Sequence, residues 1–285
     1  MTQKKGIPEK DILEKVLLAY SDVFADCENA LAYGGEQMLQ AEELIPAPTE
    51  SFYPGAEGLH SQFCDVSSFW VKAGEIKVQF IIGNETGLEG RQVLRKASYQ
   101  GGAYRIQLGS GKPVYPVVGM VIDWTHKGAR IPLTLHELLL KDGASRDILA
   151  KVDDVKLEVY HMNNLSEEVR KRFTSDLGFV VDYLNEGGFE RRREQKIIHA
   201  EALCQMMAAL TKDTRFTDLV TELLEKQKEG RDIIMCEYID MLEARGAARL
   251  AKLIQILLKE KKIDEIEAVS GSCEKRQELY RHYGI

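Results

Sequence analysis

Paired cysteines, long apolar runs and an excess of positive charge are all missing from this sequence, and each absence removes a class of protein. The five cysteines (Cys27, Cys64, Cys204, Cys236 and Cys273) are scattered and odd in number, with no CxxC pair and no Cys/His spacing of a zinc site. They read as reduced intracellular thiols. A chain of 285 residues buries enough core to fold without covalent staples. No apolar run reaches the ~18 residues of a membrane span, and residues 1–11 lack the hydrophobic stretch of a secretory signal. The expectation is a cytoplasmic protein with no membrane partner. Lys and Arg number 38 against 45 Asp and Glu, a formal charge of −7, which argues against a protein that coats nucleic acid through phosphate contacts alone. An enzyme whose acids hold a cation while a local basic surface steers the substrate remains open.

What is present changes character near residue 160. Before it, β-rich runs alternate with turn signals; after it the pattern is almost wholly helical. This predicts a domain over residues 1–160 followed by a helical region over 161–285. Leu13, Val16, Leu17, Tyr20, Phe24 and Leu31 recur at steps of three or four, predicting helix over 12–31 with an interruption near Ser21. Residues 46–60, with three prolines, two glycines and little periodicity, read as a surface loop. Residues 63–71 and 75–82 read as two strands of a hairpin turning at Lys72-Ala73-Gly74. A helix over 94–108 is expected despite Gly101-Gly102, then a buried strand over 114–124, a short helix near 135–138 and a strand over 156–160.

In the second half, Ser166 followed by Glu167 and Glu168 signals the start of a helix over 166–184. The ERRREQK run at 190–196 is a charge cluster. Leu250, Leu253, Ile254, Leu257 and Leu258 form one helical stripe for packing within the chain or between subunits, so that a homo-oligomer built through the C-terminal helices is one expectation. Two short helices, 264–269 and 274–283, close the chain.

Hydrolysing a phosphodiester at neutral pH requires a hard cation on carboxylate oxygens, a water that it activates, and a positive group near the developing charge. A hairpin can supply the acids, because residues i and i+2 share a face. Asp65 begins the first strand of this hairpin; Gly83 and Glu85 share a face at the end of the second. Such a pair suits Mg²⁺ or Mn²⁺. Strand-end acids are also common as turn and solvent residues, and the pattern alone does not choose.

Specific words in the chain go further. Ser21 to Asn29 (SDVFADCEN), followed by Gly35-Glu36-Gln37-Met38, resembles the opening D-x-F-A-D-x-F-N word of the recombination-promoting nucleases, also called the YhgA-like transposase family, within the PD-(D/E)XK nuclease superfamily. Phe63-Cys64-Asp65-Val66 resembles that family's Y-R-D-V strand. Gly83-Asn84-Glu85-Thr86 falls where the family carries G-I-E-N-Q-T; Arg95, Tyr99 and Tyr104 match the helix that follows. Pro116 to Asp123, Leu135-His136-Glu137-Leu138 and Met235-Cys236 match later words in order.

The resemblance implies an α/β fold with a restriction-endonuclease-like core, a mixed sheet flanked by helices, followed by an all-helical C-terminal region. It implies DNA as partner and Mg²⁺ (or Mn²⁺) as cofactor. Asp65, Glu85 and Arg95 are then the catalytic candidates, and Asp65, Glu85 and Asp26 the metal-ligand candidates, with Asp22 as another carboxylate on the same helix face. Arg95, Tyr99 and Arg192 are the DNA-contact candidates. One departure is plain: the family's second acid falls on Gly83, so that Glu85, two residues on, is the carboxylate left on that face. Beside each role stands a structural one: Asp22 and Asp26 as helix-surface acids, Tyr99 as core, Arg191 to Arg193 as a salt-bridged solvated face. His60, His126 and His136 have no partner spacing, and His136 reads as part of a helix start. Three functions follow: a metal-dependent DNA endonuclease, a catalytically inactive relative that binds DNA or protein, and a helical oligomerisation or regulatory protein.

Overall fold

The computed structural model describes residues 15–55, 58–124, 131–213, 215–218 and 220–285, without the side chains of 51–63 and a few others. Residues 12–14 of the expected first helix, and His126, lie outside the described residues.

Residues 15–18 form a helical turn, the chain bends at Ala19-Tyr20, and helix α1 (Ser21–Leu31) follows. The expected interruption near Ser21 is therefore present. Helix α1 is buried on nearly every side, Asp26, Glu28 and Asn29 included. Its apolar residues face a five-stranded sheet. The chain's first strands, not all of them in that sheet, are β1 (Leu44–Pro46), β2 (Glu50–Gly55), β3 (Gly58–Phe63), β4 (Val66–Lys72) and β5 (Glu75–Glu85). Helix α2 (Gln92–Leu108) follows, then β6 (Val117–Asp123), α3 (Leu135–Lys141), α4 (Arg146–Leu149) and β7 (Val159–His161).

The sheet runs β1-β4-β5-β6-β7, antiparallel at β1/β4 and β4/β5 and parallel at β5/β6 and β6/β7. The β4–β5 turn has Lys72 paired with Glu75 and positive φ at Ala73 (54°) and Gly74 (78°), the two-residue geometry that matches strand twist.

Residues 46–60 are not the loop expected of them. Strands β2 and β3, which fall between β1 and β4 in the sequence, pair antiparallel from Glu50↔Phe63 to Gly55↔Gly58 as a separate two-stranded ribbon. The prolines misled because of where they fall: Pro46 ends an edge strand and Pro54 lies near the end of a two-stranded ribbon, both places where a missing N–H costs no central ladder bond.

Helix α2 runs through Gly101-Gly102 and covers one face of the sheet. Tyr99 and Ala103 pack with Cys64, Ile81 and Val117, while Val93 packs with Val121, Leu138 and Leu157. Gln100 Nε2 donates to the Val117 carbonyl, and Tyr104 OH accepts from Val117 N–H. Helix α3 starts as expected, with the Thr134 hydroxyl accepting from Glu137 N–H and Asp154 accepting from His136 N–H.

Past residue 160 the elements are α5 (Glu167–Arg170), α6 (Leu177–Glu186), β8 (Lys196–Ile197), α7 (Ala200–Thr211), α8 (Arg215–Asp218), α9 (Val220–Lys228), β9 (Ile233–Ile234), α10 (Met235–Lys259), α11 (Ile263–Gly271) and α12 (Cys273–Tyr283). Ser166 caps α5, accepting from Val169 N–H, but the expected single helix over 166–184 breaks after one turn. In the segment that follows, Asp26 accepts four hydrogen bonds from the N–H and hydroxyl groups of Thr174 and Ser175, at 2.7–3.0 Å.

The main apolar cluster draws on both halves of the chain, from Leu17 through Phe80 and Trp124 to Leu242, so position 160 marks a change of element type and not a division between two cores. Helix α10 leaves that core after Leu242. Leu253 and Leu257 then join Val269, Leu279 and Tyr280 in a second cluster, against which Leu250 packs. Most of the C-terminal stripe thus finds its partner in α11 and α12 of the same chain; Leu258 stays exposed.

Candidate active site

Parallel pairing places Glu85 opposite Asp123 and Asp123 opposite His161, so the last residues of β5, β6 and β7 form one row at the C-terminal end of the sheet. Ligands of open α/β sheets bind at that end, where side chains reach past the last ladder bonds. Asp65 joins from the antiparallel neighbour. Lying just before β4, it accepts a hydrogen bond from Asn84 N–H at Oδ2 (2.7 Å).

Each of the two expected acids is tied to a basic side chain. Asp65 Oδ1 lies 2.6 Å from Lys15 Nζ, and Glu85 Oε1 lies 2.6 Å from Arg95 Nη1. The carboxylates are mostly covered, with side chains 16% and 13% exposed, whereas Lys15 and Arg95 are 30% and 43% exposed. The negative ends sit inward and the positive ends reach outward. Gln92, buried at the first turn of α2, also donates to Glu85 Oε1, and Arg95 Nη2 donates to Tyr99 OH at 3.2 Å. Burial raises the Glu85 carboxyl above its ordinary value, opposed by Arg95 and Gln92 and reinforced by the charge of Asp65. The two acids therefore share one electrostatic environment.

Asp65, Glu85, Arg95 and Tyr99 are thus brought together. Tyr99 fills both roles open to it, with its hydroxyl on Arg95 and its ring against the Ile81–Val117 cluster. Two other candidates are corrected. Asp26 is 4% exposed and both its oxygens are spent on Thr174 and Ser175, so it anchors the chain before α6 and has no lone pair directed at a metal. Arg192 is 7% exposed; its guanidinium donates to Asp182 at 2.7 Å and to the carbonyls of Phe173 and Arg170, so it stabilises the core and is closed to a phosphate. Arg191 and Arg193 pair with Glu186 and Glu190. Asp22 is held by His199 Nε2 (2.9 Å), whose ring stacks on Tyr20.

Sequence reasoning missed Lys15, Gln92, Asp123 and His161. Asp123 is 2% exposed and receives His161 Nδ1 at 2.8 Å. The available signal was an aspartate closing the apolar strand 117–123. Lys15 had none, because a contact spanning fifty residues leaves no local pattern. Gly83 has no positive φ, and a Cβ there would meet Val121 at an ordinary 3.5 Å. Neither backbone conformation nor crowding at Cβ requires glycine where the resemblance expects an acid.

Asp65 and Glu85 offer the hard oxygen donors that Mg²⁺ or Mn²⁺ takes, and a magnesium ion that keeps most of its waters binds through as few as one or two carboxylates. Among the described residues no group of three or more His, Cys, Asp or Glu side chains is placed to hold a metal ion, and no helix is long and apolar enough to cross a membrane. No protein-family model, curated protein or solved structure matches this chain.

Proposed function

We propose that this chain is a metal-dependent phosphodiester hydrolase acting on DNA, with a PD-(D/E)XK-type core formed by α1, β1, β4, β5, α2 and β6. The observation that carries the reading is the convergence of Asp65 and Glu85 at neighbouring strand ends with a cation side chain on each. The order of these elements, and the change from antiparallel to parallel pairing at β5/β6, agree with the core that the sequence resemblance implies.

Asp65 and Glu85 would hold the cation, which when bound supplies Lewis acidity and an activated water. The protein's own part is positional. Asn84 N–H orients the Asp65 carboxylate, Gln92 orients Glu85, and Lys15 and Arg95 offer positive charge to a phosphate oxygen in a partly water-excluded setting. Lys15 takes the role for which the strand carries no lysine. Incubating the protein with DNA and Mg²⁺ or Mn²⁺ beside its Asp65→Ala variant tests this. Nicking or cutting by the first and none by the second is expected; equal cleavage by both, or none by either, refutes it.

A second reading, a catalytically silent module on the same fold that binds DNA or protein, is favoured by Gly83 and by the two ion pairs, which neutralise the acids without a metal. It predicts DNA or protein binding with no cleavage under any divalent ion.

A further inference from the structure

A cleft of about 380 Å³ opens beside the candidate site and is not used by the chemistry described above. Lys15 and Asp65 line it and belong to both. Its other walls come from the turn after Lys15, the start of α1, the segment following β1, and β4, with Leu18, Phe24, Ala47 and Val66 as buried apolar surface. Of the hydroxyls that reach it, those of Ser67 and Ser68 are spent on the Phe80 and Ile45 carbonyls. Ser21 and Thr49 also line the cleft.

We propose that this cleft takes a single unpaired nucleobase of the strand whose phosphate lies at Lys15 and Arg95, so that the substrate is single-stranded or locally unpaired DNA and not a regular duplex. The inference rests on the hydrolase reading and deepens it. Three observations carry it. The volume is at the low end for small-ligand pockets, about 300–1,000 Å³, and is enough for one base. Apolar walls with a few hydroxyls suit an aromatic ring with polar edges, and a base inside a stacked duplex cannot enter such a pocket without being extruded. The chain's charge of −7 also leaves little general attraction to phosphate beyond Lys15 and Arg95, so burial of a base would add affinity that phosphate contacts alone do not supply.

The test uses the full chain in EDTA, so that binding is read apart from cleavage. Fluorescence anisotropy compares a single-stranded oligonucleotide, the same sequence as a perfect duplex, and a duplex with one unpaired 2-aminopurine. Expected are binding of the first and third roughly ten-fold or more tighter than the duplex, and a change in 2-aminopurine emission on binding. Thr49→Trp, at an exposed position on the wall, and Ser21→Trp, on a wall from a different element, fill the cleft. Each should abolish the discrimination while leaving duplex affinity within about two-fold, since phosphate contacts are untouched; unchanged melting temperatures verify folding. Equal affinity for all three DNAs, discrimination that survives both variants, or no binding of any DNA overturns the proposal. Cleavage in Mg²⁺ without discrimination removes the base pocket and leaves the hydrolase; discrimination without cleavage does the reverse.

Discussion

Replacing Glu28 with Gln should change how stability depends on pH, by an amount the structure sets. Glu28 lies on α1, 1% exposed, with Oε2 lacking a hydrogen-bond partner in the described structure. Burial, with Glu158 adding negative potential, pushes its carboxyl from 4.5 up to about 8. The folded state therefore holds a proton that the unfolded chain releases above pH 4.5. The stabilisation tied to that proton is fully present below 4.5 and is lost as pH rises towards 8. Each pH unit in this window costs about 1.4 kcal/mol, and the whole window roughly 5 kcal/mol. Glutamine has the same shape and does not titrate. Its amide hydrogens, unpartnered where Oε2 lay, cost about 1–3 kcal/mol at every pH. Urea unfolding at pH 5, 6, 7 and 8 reads both contributions. The stability of Glu28→Gln relative to the parent protein should climb by about 4 kcal/mol from pH 5 to pH 8, starting near or below zero and ending positive. Parallel pH profiles for the two proteins would refute the argument that Glu28 is folded as the neutral acid.

The buried pair of Asp182 and Arg192 requires glycine at 178, because a Cβ there would overlap the guanidinium of Arg192. Gly178→Ala should cost about 3–5 kcal/mol in chemical denaturation by pushing Arg192 off a fully buried carboxylate, whereas Gly188→Ala, with open space at its Cβ, should cost less than about 1 kcal/mol. Asp26→Ala should destabilise by about 4 kcal/mol through the loss of four hydrogen bonds holding Thr174 and Ser175. The same change should leave divalent-ion affinity, measured by calorimetry, unaltered.

The parts of this fold that could be read from sequence are those governed by local rules. Positive φ at Ala73-Gly74 follows from a two-residue hairpin turn between β-rich runs. The breaks at Tyr20 and after Leu108, and the apolar run ending at Asp123, carry their own signals. The convergence of Asp65 and Glu85 follows from strand periodicity once the hairpin is known, whereas Arg95, on helix α2, was named only by the resemblance. What escaped was decided at long range. Asp26 and Arg192 are charged residues, normally at the surface, and only partners 148 and 10 residues away make their burial affordable. Lys15 reaches Asp65 across fifty positions, and the row of Glu85, Asp123 and His161 exists only through parallel pairing. The β2–β3 ribbon was hidden by prolines that disfavour central strands but not edges.

Calorimetric titration of Mn²⁺ into the protein and into Asp65→Asn is the decisive measurement, because both the proposed cation site and the hydrolase reading stand on that carboxylate. Expected is uptake of an ion by the parent protein, abolished in Asp65→Asn and weakened in Glu85→Gln. No uptake by the parent protein, or the same heats from all three, would contradict it.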